Sequence, residues 1–157
     1  MRPYHEVMKN SEGVSVVRDL IQTLEDGREG FRLAAEATDN FDLKKLFTHY
    51  SEQRAQFVTE LQNLSNGLGE SANDQNGSLE GVVHRGWLNL RSAISAKDPA
   101  AILAECERGE DHAVREYRKA LDRPLPTEIQ HALEAQGLEI TSAHDKVRHL
   151  REFAKEA

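Results

Sequence analysis

VSVVRDLIQTLEDGREGFRLAAEA (14–37), then TDN (38–40), then FDLKKLFTHYSEQRAQFVTELQNLSNGL (41–68), is the stretch that decides the fold. In the first segment Val17, Leu20, Ile21, Leu24, Phe31 and Ala35 recur at the 3.6-residue spacing of one helix face. In the second, Leu43, Leu46, Phe47, Tyr50, Phe57, Leu61, Leu64 and Leu68 do the same. Three residues between two such stripes leave no room for anything but a sharp reversal, so the pair is predicted to be an antiparallel hairpin.

The remaining sequence extends this pattern. SNGLGESANDQNGS (65–78) breaks every period with Gly, Asn and Ser and marks the main internal joint. A shorter helix is expected over about 79–96, burying Val82, Val83, Trp87, Leu90 and Ile94. Asp98-Pro99 then combines an N-cap residue with proline at the first helical position, which starts a helix over about 99–121. After DRPLP, Thr127 and Gln130 have capping-box spacing, and a last helix runs over about 127–154. No segment shows a strand period, so the chain is expected to be all-α, a single domain of two long hairpins joined by a crossover that holds a short helix. That connectivity is the one found in ferritin-like four-helix bundles.

Composition narrows the functional classes. With 157 residues, 38% hydrophobic and 30% charged, the chain suits one helical core with ion-laced outer faces. Its formal charge of −7 repels a phosphate backbone, so no nucleic-acid partner is expected. No run approaches the roughly 18 apolar residues of a membrane span, and residues 1–13 lack the apolar run of a secretory signal; the expectation is no membrane partner and a cytoplasmic location. Cys106 is the single cysteine, flanked by Glu105 and Glu107, which disfavour a thiolate; it is expected to be a small core residue. No nucleophile elbow or glycine-rich phosphate loop appears, which argues against hydrolase, kinase and nucleotide-binding readings.

Three runs carry a family resemblance: TLEDGREGFRLAAE (23–36), HRGWLNLRSAI (84–94) and ILAECERGEDHAVREY (102–117). Together they resemble a family of small bacterial ferritin-like proteins known chiefly as a domain of unknown function. The resemblance implies a four-helix bundle and a homodimer, with a setting in stress physiology, and it brings no established activity.

The chemistry therefore has to be sought where the apolar stripes are interrupted, at Arg28, Arg54, Glu110 and Gln136. A ferritin-like di-iron site needs a Glu from each of two helices and a Glu-x-x-His pair from each of the others, because three residues let both side chains address one metal pair. Glu52 is followed three residues later by Ala55, and Glu139 and His144 are five apart, so neither is the motif. Glu25 and Glu29 lie roughly 100° from the centre of their stripe, whereas Arg28 and Arg54 lie at the centre of theirs. The predicted content is thus a buried polar layer: Arg28 and Arg54 satisfied by Glu110 or Glu105, with Gln136, Glu139 and Tyr50 completing the hydrogen bonds. Cys106, Gly109 and Ala113 would leave room at mid-bundle for long side chains from opposite helices.

Two further features complete the expectations. Trp87, the only tryptophan, is a candidate subunit contact, and Gly30 and Gly86 suggest close helix approach, since glycine inside a helix otherwise costs about 1 kcal/mol relative to alanine. The expected function is that of a non-catalytic bundle without cofactor, acting through assembly or partner contacts as a homo-oligomer. The alternative is an iron or manganese carboxylate protein with redox or iron-handling activity, its ligands drawn from Glu25, Glu29, Glu52, Glu110, Glu139 and His144. A third class is a small-molecule binder using a cavity over Cys106, Gly109 and Ala113.

Overall fold

Residues 7–72 and 87–156 are described by a computed structural model, and within them every regular element is a helix. The first two, α1 (Asn10–Ala37) and α2 (Phe41–Gly67), form the hairpin expected from the 38–40 turn. The Asn40 side chain accepts the Leu43 amide at 3.0 Å, occupying one of the donors that a helix start leaves open. α1 begins four residues before the expected Val14, because Ser11 and Glu12 are compatible with a solvent-facing first turn.

The short helix α3 (Leu90–Ala96) covers only the second half of the expected crossover helix. Val82, Val83 and Gly86, also expected in that helix, lie outside the described residues. α3 stops at Lys97, which adopts a left-handed conformation with φ 52°. α4 (Pro99–Leu121) follows, with Asp98 capping the Ala100 amide at 3.1 Å and proline at its first turn. α5 (Thr127–Glu156) completes the chain. It starts at Thr127 itself, so the residue expected to cap from outside is already helical; the Gln130 amide is taken by the Pro126 carbonyl at 2.9 Å.

Helix α1 packs on α2 and α4, while α5 packs on α4 and α2. The order along each helix fixes direction. One apolar cluster joins Val14–Leu24 of α1, Phe57–Leu61 of α2, Ala113–Ala120 of α4 and Ile129–Ile140 of α5. The other joins Phe31–Ala37, Phe47 and Tyr50, Ile102–Cys106, and Ala143 and Val147, together with Trp87, Leu90 and Ala93. The start of α1 therefore lies level with the ends of α2 and α4 and with the start of α5, so α2 and α4 run in the same direction. The connection between them must travel the length of the bundle. It leaves α2 beside α1, where Arg18 Nη2 donates to the Ser71 carbonyl at 2.7 Å, and it arrives at the opposite end with α3 against α4 and α1.

On α1, α2 and α4 the boundary between the two clusters falls at Gly27, Arg54 and Glu110. The bundle thus has two apolar halves with a polar seam between them.

Candidate functional site: a charge pair and an indole wedge at mid-bundle

Arg54 reaches across from α2 to α4. Its Nη1 donates to Glu110 Oε1 at 2.5 Å and its Nη2 to Glu110 Oε2 at 2.8 Å, a bidentate pair in which each side chain is only 1% exposed. Sequence local to α1 makes room for it. A β-carbon at Gly27 would stand 3.5 Å from Arg54 Nη1 and 3.6 Å from its Cγ, so the glycine lets the arginine stem lie against the helix. The guanidinium carbon sits 5.4 Å from the centre of the Phe31 ring, close enough for a cation–π contribution. Burial would by itself make Arg54 easier to deprotonate, but the Glu110 charge and hydrogen bonds outweigh this and hold it more firmly protonated. Among the described residues no buried side-chain nitrogen or oxygen is left without a hydrogen-bond partner.

A second buried polar unit lies one step away, inside the first apolar cluster. Tyr117 Oη donates to Gln136 Oε1 at 2.8 Å, and Gln136 Nε2 donates to Glu60 Oε2 at 3.0 Å and to the Phe57 carbonyl at 3.4 Å. Gln136 is therefore buried, but its partners are Tyr117 and Glu60 rather than the arginines. Neither Tyr117 nor Glu60 stood among the expected site residues. The signal available was Tyr117 on the α4 stripe level with Gln136 of α5, a hydroxyl and an amide facing one another across a short turn. Burial, with the Glu60 and Glu110 charges opposed by that of Arg54, drives the Tyr117 hydroxyl well above its ordinary value.

Other expected members of the layer sit elsewhere. Arg28 is not at the centre: its side chain is 39% exposed and its Nε and Nη2 both donate to Glu25 Oε2 on its own helix. The stripe of α1 is widest at this level because Gly27 and Gly30, not Arg28, face the partner helices, and the long arginine stem carries its head outward. Glu139 is exposed and takes no part. Tyr50 is buried against the Phe31 ring at 5.3 Å and close enough to Glu110 and Arg54 to feel both charges; burial first, then Glu110, raises its hydroxyl pKa. Glu105 is buried but faces the crossover: its Oε2 accepts the Asn89 amide at the start of α3, and Arg108 Nη1 donates to its Oε1 at 2.9 Å. It thus anchors the crossover to α4. Burial raises its pKa, opposed by those two donors.

Trp87 takes the position that the small residues of α4 leave open. It is 2% exposed, which corrects its reading as a subunit contact: the indole lies inside the chain. A β-carbon at Gly30 would stand 2.6 Å from its Cδ2, and one at Gly109 would overlap the ring outright. The indole is therefore wedged between the backbones of α1 and α4, with the Phe31 ring edge-on at 5.3 Å and 79°. The room expected over Gly109 is filled by this crossover side chain, not by the arginines and not by an open cavity. Cys106 is fully buried nearby. Burial, followed by the Glu110 and Glu105 charges, pushes its thiol well up, so no reactive thiolate forms at neutral pH.

The six residues that could have formed a carboxylate metal centre do not converge. Glu110 is held by Arg54, Glu25 by Arg28 and Glu29 by Arg32, while Glu52 and Glu139 face solvent. His144 belongs to a different group on the outer seam between α4 and α5. Glu107, Asp111 and His144 each offer a donor atom within 4.8 Å of the others, the only such trio among the described residues. His144 Nε2 meets Asp111 Oδ1 at 2.5 Å and its Nδ1 meets Asp145 Oδ1 at 3.0 Å. Carboxylates accept, so both contacts are hydrogen bonds together only when the ring is protonated, a form with no lone pair to offer a cation. Burial works against that charge, but Asp145 and Asp111 outweigh it and raise the His144 pKa. Arg151 pairs with Glu107 and adds a second positive charge to the trio. The residues form an ion network that ties α4 to α5, and they fit a metal poorly as arranged.

No curated protein matches the chain. Residues 12–123, from the start of α1 to the turn after α4, match the model of the family described as Domain of unknown function (DUF2383). The chain, with its buried Arg54–Glu110 pair and its Trp87 wedge, belongs to that family.

Proposed function

We propose that the chain is a ferritin-like four-helix bundle that serves as a non-catalytic assembly module, with side-chain charge pairing where relatives of that architecture carry metal. The observation that supports this most directly is the Arg54–Glu110 pair. A guanidinium cannot be neutralised at physiological pH, and two divalent cations beside it would be strongly repelled. The bidentate geometry already uses both oxygens of the Glu110 carboxylate. Trp87 fills the space over Gly109, so that space is not left open for a metal pair or a small molecule, which supports the reading. What remains for function is the outer surface, reached through contacts with copies of itself or with other proteins. The family resemblance suggests stress physiology as the setting, and a cytoplasmic location is part of the proposal.

The test is metal content. Protein produced with supplemented iron and manganese and purified without chelators is expected to carry far less than one metal per chain by elemental analysis. Stoichiometric metal that is lost in Glu110→Gln would overturn the proposal and restore the metal carboxylate reading.

A further inference from the structure

The outer seam between the C-terminal half of α4 and the N-terminal half of α5 is open to solvent and apolar at its base. Val114 and Leu121 of α4 and Gly137 of α5 line a groove of about 340 Å³. Leu138 stands at its edge with 74% of its surface exposed. Burying such a side chain in an apolar slot removes its surface from water and favours association. The two walls carry opposite charges. Arg118 lies on α4 and Glu134 on α5, both exposed, and among the described residues neither has an ion-pair partner. Glu134, Leu138 and Thr141 follow at i, i+4 and i+7, so the anion and the apolar knob share one helix face.

We infer that this face binds a second copy of the chain in a two-fold arrangement. A two-fold interface requires each patch to carry both halves of every contact, and this one does. It has a knob, Leu138, beside a slot over Gly137, and an unpaired cation and an unpaired anion on opposite walls. A two-fold axis through the middle of the groove sets Arg118 of one copy over Glu134 of the other, and the reverse contact follows by symmetry. Leu138 of each copy then enters the other's slot between Val114 and Leu121. Local charge pairing is needed here because two chains of net charge −7 repel each other at long range. The inference rests on the assembly reading above and names the face and the partner.

Sedimentation velocity of the full chain over a wide concentration range tests it. The native chain is expected to dimerise. Leu138→Glu, at a site too exposed to affect folding, is expected to weaken the dimer on the order of 100-fold. Arg118→Glu and Glu134→Arg are each expected to weaken it about tenfold, and the double reversal Arg118→Glu/Glu134→Arg to restore it. A dimer unmoved by Leu138→Glu would overturn this face while leaving self-assembly standing. A double reversal no better than either single change would overturn the two-fold charge pairing. A native chain that stays monomeric at hundreds of micromolar, on the order of the weakest specific contacts, would overturn both the face and self-assembly.

Discussion

Removing the Trp87 indole should cost the bundle several kcal/mol, and a single methyl group at Gly109 should then change the sign of its effect. A tryptophan side chain buries about 200 Å², which at about 25 cal/mol per Å² corresponds to an upper value near 5 kcal/mol. Trp87 is 2% exposed and makes an edge-on contact with Phe31, so little of that is lost to solvent. Relaxation of the walls lowers the figure, and Trp87→Ala is expected to cost about 3–5 kcal/mol. Gly109→Ala alone puts a β-carbon into the indole and should cost about 1–3 kcal/mol. In the Trp87→Ala background the clash is gone, and the same methyl both fills void and gains up to about 1 kcal/mol of helix propensity. It should therefore be neutral or stabilising there. Guanidinium unfolding followed by far-ultraviolet circular dichroism reads all four proteins. A Trp87→Ala cost below about 1 kcal/mol, or a Gly109→Ala effect of the same size in both backgrounds, would refute the wedge.

Two other buried or bridging groups give sharp expectations. Tyr117→Phe leaves the Gln136 carbonyl oxygen without its donor in a fully buried position, and denaturant unfolding should show a loss of about 1–3 kcal/mol. His144 has a folded pKa raised above its unfolded value, so the stability it supplies is complete below about 6.5 and is lost as pH rises through the folded value. The stability difference between the native chain and His144→Gln should thus shrink from pH 6 to the alkaline side of that window. A difference that grows with pH, in paired unfolding curves or in a proton resonance titration of the ring, would contradict the imidazolium assignment.

The helices were legible because their stripes are long and their stops are chemical. The Asn40 cap and the Asp98-Pro99 start lie where the residues place them, and the short turns dictate antiparallel neighbours. The mid-bundle contents were harder to read from periodicity. Angular position on a stripe puts Arg28 and Arg54 on equal terms, yet Gly27 admits the stem of Arg54 against α1, while Arg28, on α1 itself, turns its head to Glu25 of the same helix and stays 39% exposed. Which arginine is buried is decided by backbone approach between helices, and a single chain's stripe does not carry that information. The same holds for Trp87. Its own segment suggests a short amphipathic helix with a surface to cover, whereas its destination is set by two glycines 57 and 22 positions away, on α1 and α4. Glycines at one level of two neighbouring helices were the available clue. Gln136 is buried, but its partners differ from the arginines expected, because the turn at 122–126 sets α5 in register with Tyr117 and not with Arg54.

The central claim is that a side-chain ion pair closes the middle of this bundle, and its most direct test is the coupling energy between Arg54 and Glu110 in chelator-treated protein. Arg54→Met, Glu110→Leu and the double variant are compared with the native chain by urea unfolding. Each single change strands a buried charge and is expected to cost about 3–5 kcal/mol, whereas the double variant, which replaces both charges by apolar groups of similar volume, should lose far less than their sum. A coupling of about 3 kcal/mol is the predicted result. Single costs below about 1 kcal/mol that simply add would contradict the account, since they would mean that the two side chains do not depend on each other.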